Sequence, residues 1–193
     1  MEWDEHASTW DEDPAARAYS RAAFDSLRVE AARRDVTISG ARVCDFGCGT
    51  GLLTEQLAAD ATHIDAVDAS PAMLDALREK VARNGWTHVD TLGGPRGAGG
   101  HYDLIVCSSV CAFLDDYPGT VRHLASLLRP DGLFVQWDWE LGPEDAEEYG
   151  LSRDEIRDAL AGAGLRSVRV ETAFRIPMGD VTMAPLMGSG RRR

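Results

Sequence analysis

The sequence predicts an α/β fold, a three-layer sandwich with helices on both faces of a mostly parallel seven-stranded sheet, and three observations predict it. Strand-like apolar runs alternate with helix-period segments along most of the 193 residues, the pattern that successive βαβ units leave in a chain. A buried strand at 43–46 runs into Gly47-Cys48-Gly49-Thr50-Gly51, a hinge where glycine permits a sharp turn and lets a ligand lie directly against the main chain at a helix N-terminus. A second strand at 64–67 ends on Asp68, 17 residues beyond Gly51, the place where open α/β sheets hydrogen-bond ribose hydroxyls.

The elements follow in order. Residues 1–13 carry six acids together with Trp3 and Trp10. Residues 15–34 then place Tyr19, Ala23, Phe24 and Leu27 at spacings that share a helix face. This N-terminal helical segment, 1–40, reads as a lid. The first strand is 43–46, its helix 51–59, and the second strand 64–67. Ser70 caps a helix whose first position is Pro71, with Met73, Leu74, Leu77 and Val81 inward and an end near Asn84-Gly85. The third strand is 89–92. The glycine-rich stretch 93–100 must cross nearly extended, because parallel crossovers normally take a dozen residues or more. A strand at 102–107, a helix at 120–128, a strand at 133–137 and a helix at 152–163 continue the alternation. Strands at 165–174 and 181–188, joined by a turn at 176–180, close the sheet. The whole reads as one domain, 1–193, with a ligand-binding core at 41–140 and closing elements at 141–193, and Arg191-Arg192-Arg193 as a disordered, solvated end.

Length suits a single domain with a full core. A formal net charge of −12 repels phosphate backbones and anionic membrane surfaces, which argues against nucleic-acid and membrane partners. No apolar run approaches the roughly 18 residues of a membrane span, and the acidic N-terminus is unlike a secretory signal, so a cytoplasmic protein is expected. Cys44, Cys48, Cys107 and Cys111 form two C-x3-C pairs. Their spacing differs from that of zinc ribbons and two of them fall inside strands, so buried, reduced thiols and no metal are expected.

Asp45, the Gly47-Cys48-Gly49-Thr50-Gly51 hinge, Asp68, the Ser70-Pro71 helix start and the later Leu128-Arg129-Pro130-Asp131-Gly132 turn together resemble the S-adenosylmethionine site of class I methyltransferases, in the small-molecule branch typified by methyltransferase types 11 and 12. The nicotinamide fingerprint Gly-x-Gly-x-x-Gly differs: here the third glycine comes one residue early, and Asp45 has no counterpart in it. The resemblance implies a Rossmann-like sheet whose last strand is antiparallel, S-adenosylmethionine as cofactor and S-adenosylhomocysteine as product. It carries the methionine end of the cofactor to Asp45, Gly47, Cys48, Gly49 and Gly51, with main-chain N–H groups facing its carboxylate and Asp45 its ammonium. Asp68 takes the ribose, Ala69 and Met73 wall the adenine, and Ser108 neighbours the methionine amine. Leu92 and Gly93 stand where relatives place an acid for the adenine amino group. Trp10 and Tyr19 are placed to close over the cofactor.

On the acceptor side, Gln136-Trp137-Asp138-Trp139-Glu140 combines aromatics and acids that the fold alone does not require. Trp137, Trp139 and Phe113 are the candidate walls of a small-molecule pocket, and Asp138 and Glu140 the candidate catalytic proton acceptors. Methyl transfer from a sulfonium is an in-line displacement in which alignment matters most, so dedicated catalytic residues are few. Two other readings remain open at this point. A non-catalytic S-adenosylmethionine-binding sensor or partner module fits the missing adenine acid and the short 140–152 connection, and a NAD(P)-dependent oxidoreductase fits the glycines alone. The acceptor's identity and the oligomeric state are not encoded in any motif.

Overall fold

Asp13 and Pro14 start the first long helix: the Asp13 carboxylate accepts from the Ala15 amide at 2.8 Å and Pro14 occupies the first helical position, where its missing N–H is not needed. The computed structural model describes residues 3–95, 102–141, 149–178 and 181–193. They divide into two compact units, residues 1–97 and 98–193.

In the first unit, two short 3-10 turns, Trp3–His6 and Trp10–Glu12, precede α1 (Pro14–Arg33). Then come β1 (Arg42–Phe46), α2 (Leu52–Leu57), β2 (His63–Val67), α3 (Pro71–Asn84) and β3 (Val89–Leu92). The strands lie in the order β3-β2-β1 and all pair in parallel, with Asp45 beside Ala66 and Val67 beside Leu92. Val43, Ile64, Leu27, Leu57 and Leu77 are fully buried between sheet and helices. α2 is shorter than the expected 51–59, because the amides of Asp60 and Ala61 fold back onto the Leu57 carbonyl. α3 starts and stops as the sequence predicts, with the Ser70 hydroxyl accepting from the Met73 amide at 3.1 Å and Gly85 left-handed at its end. Its inner face differs by one position. Lys80 is buried where Val81 was expected, because an ion pair with Asp11 draws it inward.

The second unit contains β4 (Tyr102–Ser108), a 3-10 turn (Cys111–Phe113), α4 (Tyr117–Leu127), β5 (Leu128–Asp138), α5 (Arg153–Gly162), β6 (Arg166–Thr172), β7 (Ile176–Met178), β8 (Val181–Met183) and β9 (Leu186–Arg191). Its sheet order is β4-β5-β9-β6. β4 and β5 are parallel, and β9 runs antiparallel to both β5 and β6. The seven strands of the two units are those of a mostly parallel, Rossmann-like sheet with one antiparallel member, flanked by helices. Leu104, Ile105, Phe134, Trp137, Leu124 and Ile156 form the second core.

Three expectations in this half are corrected. α4 begins at Tyr117, not at 120, since Asp116 caps it by accepting from the Gly119 amide at 2.9 Å. The expected strand 181–188 is two strands: β8 pairs with β7, the segment expected to be a turn. Pro185, which has no N–H for a ladder, separates β8 from β9 while its carbonyl accepts from Ala173 at 2.8 Å. The arginine end is ordered. β9 extends to Arg191, and the Arg192 amide donates to the Gly132 carbonyl at 2.9 Å. Arg191 and Arg166 both pair with Asp131. Residues 96–101 and 142–148, on which the expectations for most of the glycine-rich crossover and for the connection after β5 fall, lie outside the described residues. Among the described residues, no helix is long and apolar enough to cross a membrane.

Candidate functional site

In the first unit the hinge after β1 turns through three left-handed glycines, Gly47, Gly49 and Gly51, at φ 75°, 53° and 87°. Gly51 is the position that admits nothing else: its φ disfavours a side chain, and a Cβ there would lie 2.4 Å from Leu77 Cδ1 of α3. Met73 is buried, and its Sδ lies 3.9 Å from where a Cβ on Gly49 would be, so it supports the hinge from beneath. The expectation that bare amides of the hinge face a carboxylate is corrected. The amides of Gly47 and Cys48 donate to the Val67 carbonyl at 2.7 and 3.0 Å, and that of Gly51 to the Cys48 carbonyl at 2.9 Å. The Gly49 amide donates to Asp68 Oδ2 at 2.8 Å.

What the hinge offers instead is Asp45. It is fully buried, its Oδ2 accepts from the Thr54 hydroxyl at 2.6 Å, and its Oδ1 has no hydrogen-bond partner among the described residues. An orphaned carboxylate oxygen in a buried position calls for a cationic or hydrogen-bond-donating ligand. An amino-acid ammonium is such a group, so the residues present fit the cofactor that the hinge implies. Burial, opposed by the Thr54 hydrogen bond and assisted by the Asp68 charge, pushes the Asp45 carboxyl up to about 7. Burial also raises the Cys48 thiol, with Asp45 and Asp68 adding to it, so Cys48 is an inert neutral neighbour. All four cysteines are buried and free of disulfides.

Asp68 ends β2 as expected and does more than expected. One oxygen accepts from Gly49 and the other from the Ser70 amide at 2.9 Å, tying the hinge to the start of α3. Ala69 is exposed beside it, Leu92 is half-buried with its carbonyl accepting from the Asp68 amide at 3.1 Å, and Gly93 is exposed.

The N-terminal segment reaches these same loops through its acids. Asp11 Oδ1 accepts from the Thr50 hydroxyl of the hinge at 2.6 Å and Oδ2 meets Lys80 Nζ at 2.6 Å, while Asp4 accepts from the Ser70 hydroxyl. Trp10 packs edge-on against Trp3, centroids 6.2 Å apart. Tyr19 is buried in α1, which packs on α2. Thr54, Lys80 and Asp11 carry no motif and Thr50 was read only as part of the hinge, so sequence reading missed their side-chain roles; only the polarity of Thr54 in a helix that must pack under the hinge hinted at one. Removing Asp11 leaves the buried Lys80 ammonium with Glu55 at 3.5 Å as its one acidic partner among the described residues. We expect Asp11→Ala to destabilise the protein by about 2 kcal/mol, between the values for exposed and buried pairs, read as a shift in the urea midpoint at constant slope.

In the second unit, the predicted acceptor-side residues separate. Trp137 is fully buried, a core residue of β5, a strand covered on both faces from Gly132 to Asp138. Asp138 is also buried. Its Oδ1 accepts from the Ala112 amide at 3.1 Å, and its Oδ2 from Gln136 Nε2 at 2.9 Å. Gln136 Oε1 in turn accepts from the Tyr117 hydroxyl at 2.8 Å. Burial pushes the Asp138 carboxyl up to about 7 against these hydrogen bonds. The network pins the Cys111–Phe113 turn to β5. Glu140 is exposed and makes a two-point ion pair with Arg153 at 2.7 and 3.1 Å. Ser108 ends β4 half-buried, and Trp139 is half-buried at the end of β5. Phe113 is half-buried and faces Tyr149, ring centroids 4.7 Å apart and planes at 34°. Tyr149, which lies outside every motif, was not anticipated.

Residues 44–134 match the family model described as a methyltransferase domain. The ubiquinone biosynthesis O-methyltransferase of Aromatoleum aromaticum is 30% identical over 113 residues, covering 56% of this chain and 48% of that protein; the chain spans about half the length of the curated relatives it matches. Among solved structures, a SAM-dependent methyltransferase from Aquifex aeolicus aligns with a TM-score of 0.68 at 20% identity, covering 97% of this chain and 98% of that one. The 1,6-didemethyltoxoflavin N1-methyltransferase of Burkholderia thailandensis, solved with its acceptor and S-adenosylhomocysteine, aligns with a TM-score of 0.72 at 18% identity over 98% and 86% of the two chains.

Proposed function

We propose that the chain is a class I S-adenosylmethionine-dependent methyltransferase that methylates a small-molecule acceptor. The observation that carries the reading is the buried Asp45 carboxylate with one oxygen held by Thr54 and the other without a donor among the described residues. That arrangement suits the ammonium of an amino-acid-bearing nucleoside and has no counterpart in a dinucleotide hinge. When bound, S-adenosylmethionine supplies a methyl group on a sulfonium, an electrophile that needs no further activation.

The chain's own residues hold and orient. Asp45 receives the ammonium, and Asp68 receives the ribose while bracing Gly49 and Ser70. Asp11 and Asp4 fasten the N-terminal segment to the hinge and to the turn after Asp68. Alignment of two bound reactants is worth on the order of 7 kcal/mol or more, which exceeds what a general base adds. The relatives' names, a ubiquinone-pathway O-methyltransferase and a toxoflavin N-methyltransferase, support a small organic acceptor, and the net charge of −12 disfavours nucleic acid.

Incubating the purified protein with methyl-labelled S-adenosylmethionine and a metabolite extract tests the reading, with label expected to appear in a low-molecular-weight product. Tight cofactor binding without transfer to any acceptor points instead to a sensor or partner module. Thermal stabilisation by NAD(P) and not by S-adenosylhomocysteine points to an oxidoreductase.

A further inference from the structure

We infer that Tyr149 and Phe113 form a stacking shelf for the ring of a planar aromatic methyl acceptor, an inference that rests on the methyltransferase reading and specifies its acceptor. Two independent devices fix the two rings. Phe113 sits on the turn that Asp138 holds through the Ala112 amide, and Asp138 is braced by the Gln136–Tyr117 hydrogen bonds. Tyr149 is brought back to the end of β5 by two backbone bonds, Leu151 N–H to the Trp139 carbonyl at 2.9 Å and Leu141 N–H to the Leu151 carbonyl at 3.2 Å. Gly150 makes that return possible, since a Cβ there would lie 3.0 Å from the Trp139 carbonyl oxygen and 3.2 Å from Leu141.

A ring positioned this way is normally buried, yet Tyr149 is 56% exposed. One side meets Phe113 in a tilted stack, and more than half of the residue's surface remains exposed. Fixed, exposed aromatic area at the carboxyl ends of parallel strands is where α/β sheets receive ligands. The ligand chemistry follows from the ring. A planar π-system continues an offset or tilted stack and gains the aromatic pairing increment, whereas a saturated ring of the same size gains area burial alone.

The test uses the full-length protein saturated with S-adenosylhomocysteine and two matched pairs of uncharged probes, catechol with cyclohexane-1,2-diol and 2-naphthol with decahydro-2-naphthol, titrated by NMR. The planar member of each pair is expected to bind about five- to tenfold more tightly, and Tyr149→Leu to weaken planar binding by about the same factor while Tyr149→Phe preserves it. Equal binding of planar and saturated probes, no binding of any planar probe, or planar binding unchanged in Tyr149→Leu overturns the shelf. Calorimetry with S-adenosylhomocysteine on the same samples separates the two levels. If the parent does not take up that nucleoside the methyltransferase reading fails, whereas normal uptake with any of the overturning outcomes removes the shelf alone. Tyr149 is exposed, so its variants are expected to melt with the parent.

Discussion

Asp45→Asn is expected to weaken S-adenosylhomocysteine binding by about 10- to 150-fold, with the fold intact. The carboxamide preserves the shape of the side chain and can still accept from Thr54, but it replaces the unpartnered anionic oxygen with a neutral group, or with an N–H₂ that opposes an ammonium. Hydrogen bonds between charged groups are worth roughly 1.5 to 3 kcal/mol, and each 1.4 kcal/mol is about tenfold in affinity. Isothermal calorimetry measures this directly, and an affinity within threefold of the parent removes Asp45 from the cofactor site.

The same carboxyl makes binding pH-dependent in a stated direction. In the free protein it titrates near 7, well above the ordinary carboxylate value, so the folded state holds a proton that the unfolded chain has lost. Its contribution to stability is therefore present at acid pH and lost as pH rises toward 7. A bound ammonium favours the ionised form, so cofactor binding at pH 6 releases a proton and affinity rises about tenfold between pH 6 and 8 before levelling off. Asp138, also near 7 through burial, adds to the stability trend but not to the binding trend. The binding trend is expected to vanish in Asp45→Asn.

Local chemistry decided what was legible in the chain. Ser70-Pro71 and Gly85 mark α3 because capping and left-handed residues act over three or four positions, and the hinge glycines are visible because φ above zero restricts the residue type. β3 was bounded to the residue by its flanking polar and glycine positions. Other features depend on contacts between distant segments. Lys80 is buried because Asp11 pairs with it from 69 positions away, and helix periodicity alone therefore favoured Val81. The arginine end is ordered because Asp131 and the Gly132 carbonyl receive it, a pairing no periodicity announces. At the candidate site, Asp45 and Asp68 were readable as acids at strand ends. That the hinge amides are engaged by Val67 and Asp68 was not, because a sequence shows donors without showing where they point. Trp137 and Asp138 looked like pocket residues on composition; both are buried because both faces of β5 are covered from Gly132 to Asp138, and Asp138 is held there by the Ala112 and Gln136 bonds.

Asp68→Ala is expected to have the second largest effect, because one carboxylate serves two backbone donors. Its removal leaves the amides of Gly49 and Ser70 without the acceptors they meet at 2.8 and 2.9 Å, and it releases the hinge from the start of α3. Two charge-assisted bonds of this kind, partly replaced by water at a half-exposed site, correspond to a destabilisation of about 2 to 3 kcal/mol, measured by chemical denaturation. Cofactor affinity should fall by about 10- to 100-fold, from the loosened hinge and the lost ribose contact together. Asp68→Asn should fall between, since its single acceptor oxygen can serve Gly49 or Ser70 but not both. The two contributions separate by ligand: the parent should prefer S-adenosylhomocysteine over its 2′,3′-dideoxy form, and Asp68→Ala should lose that preference. A variant that still discriminates as strongly as the parent leaves Asp68 as the brace of the hinge and moves ribose recognition to another residue.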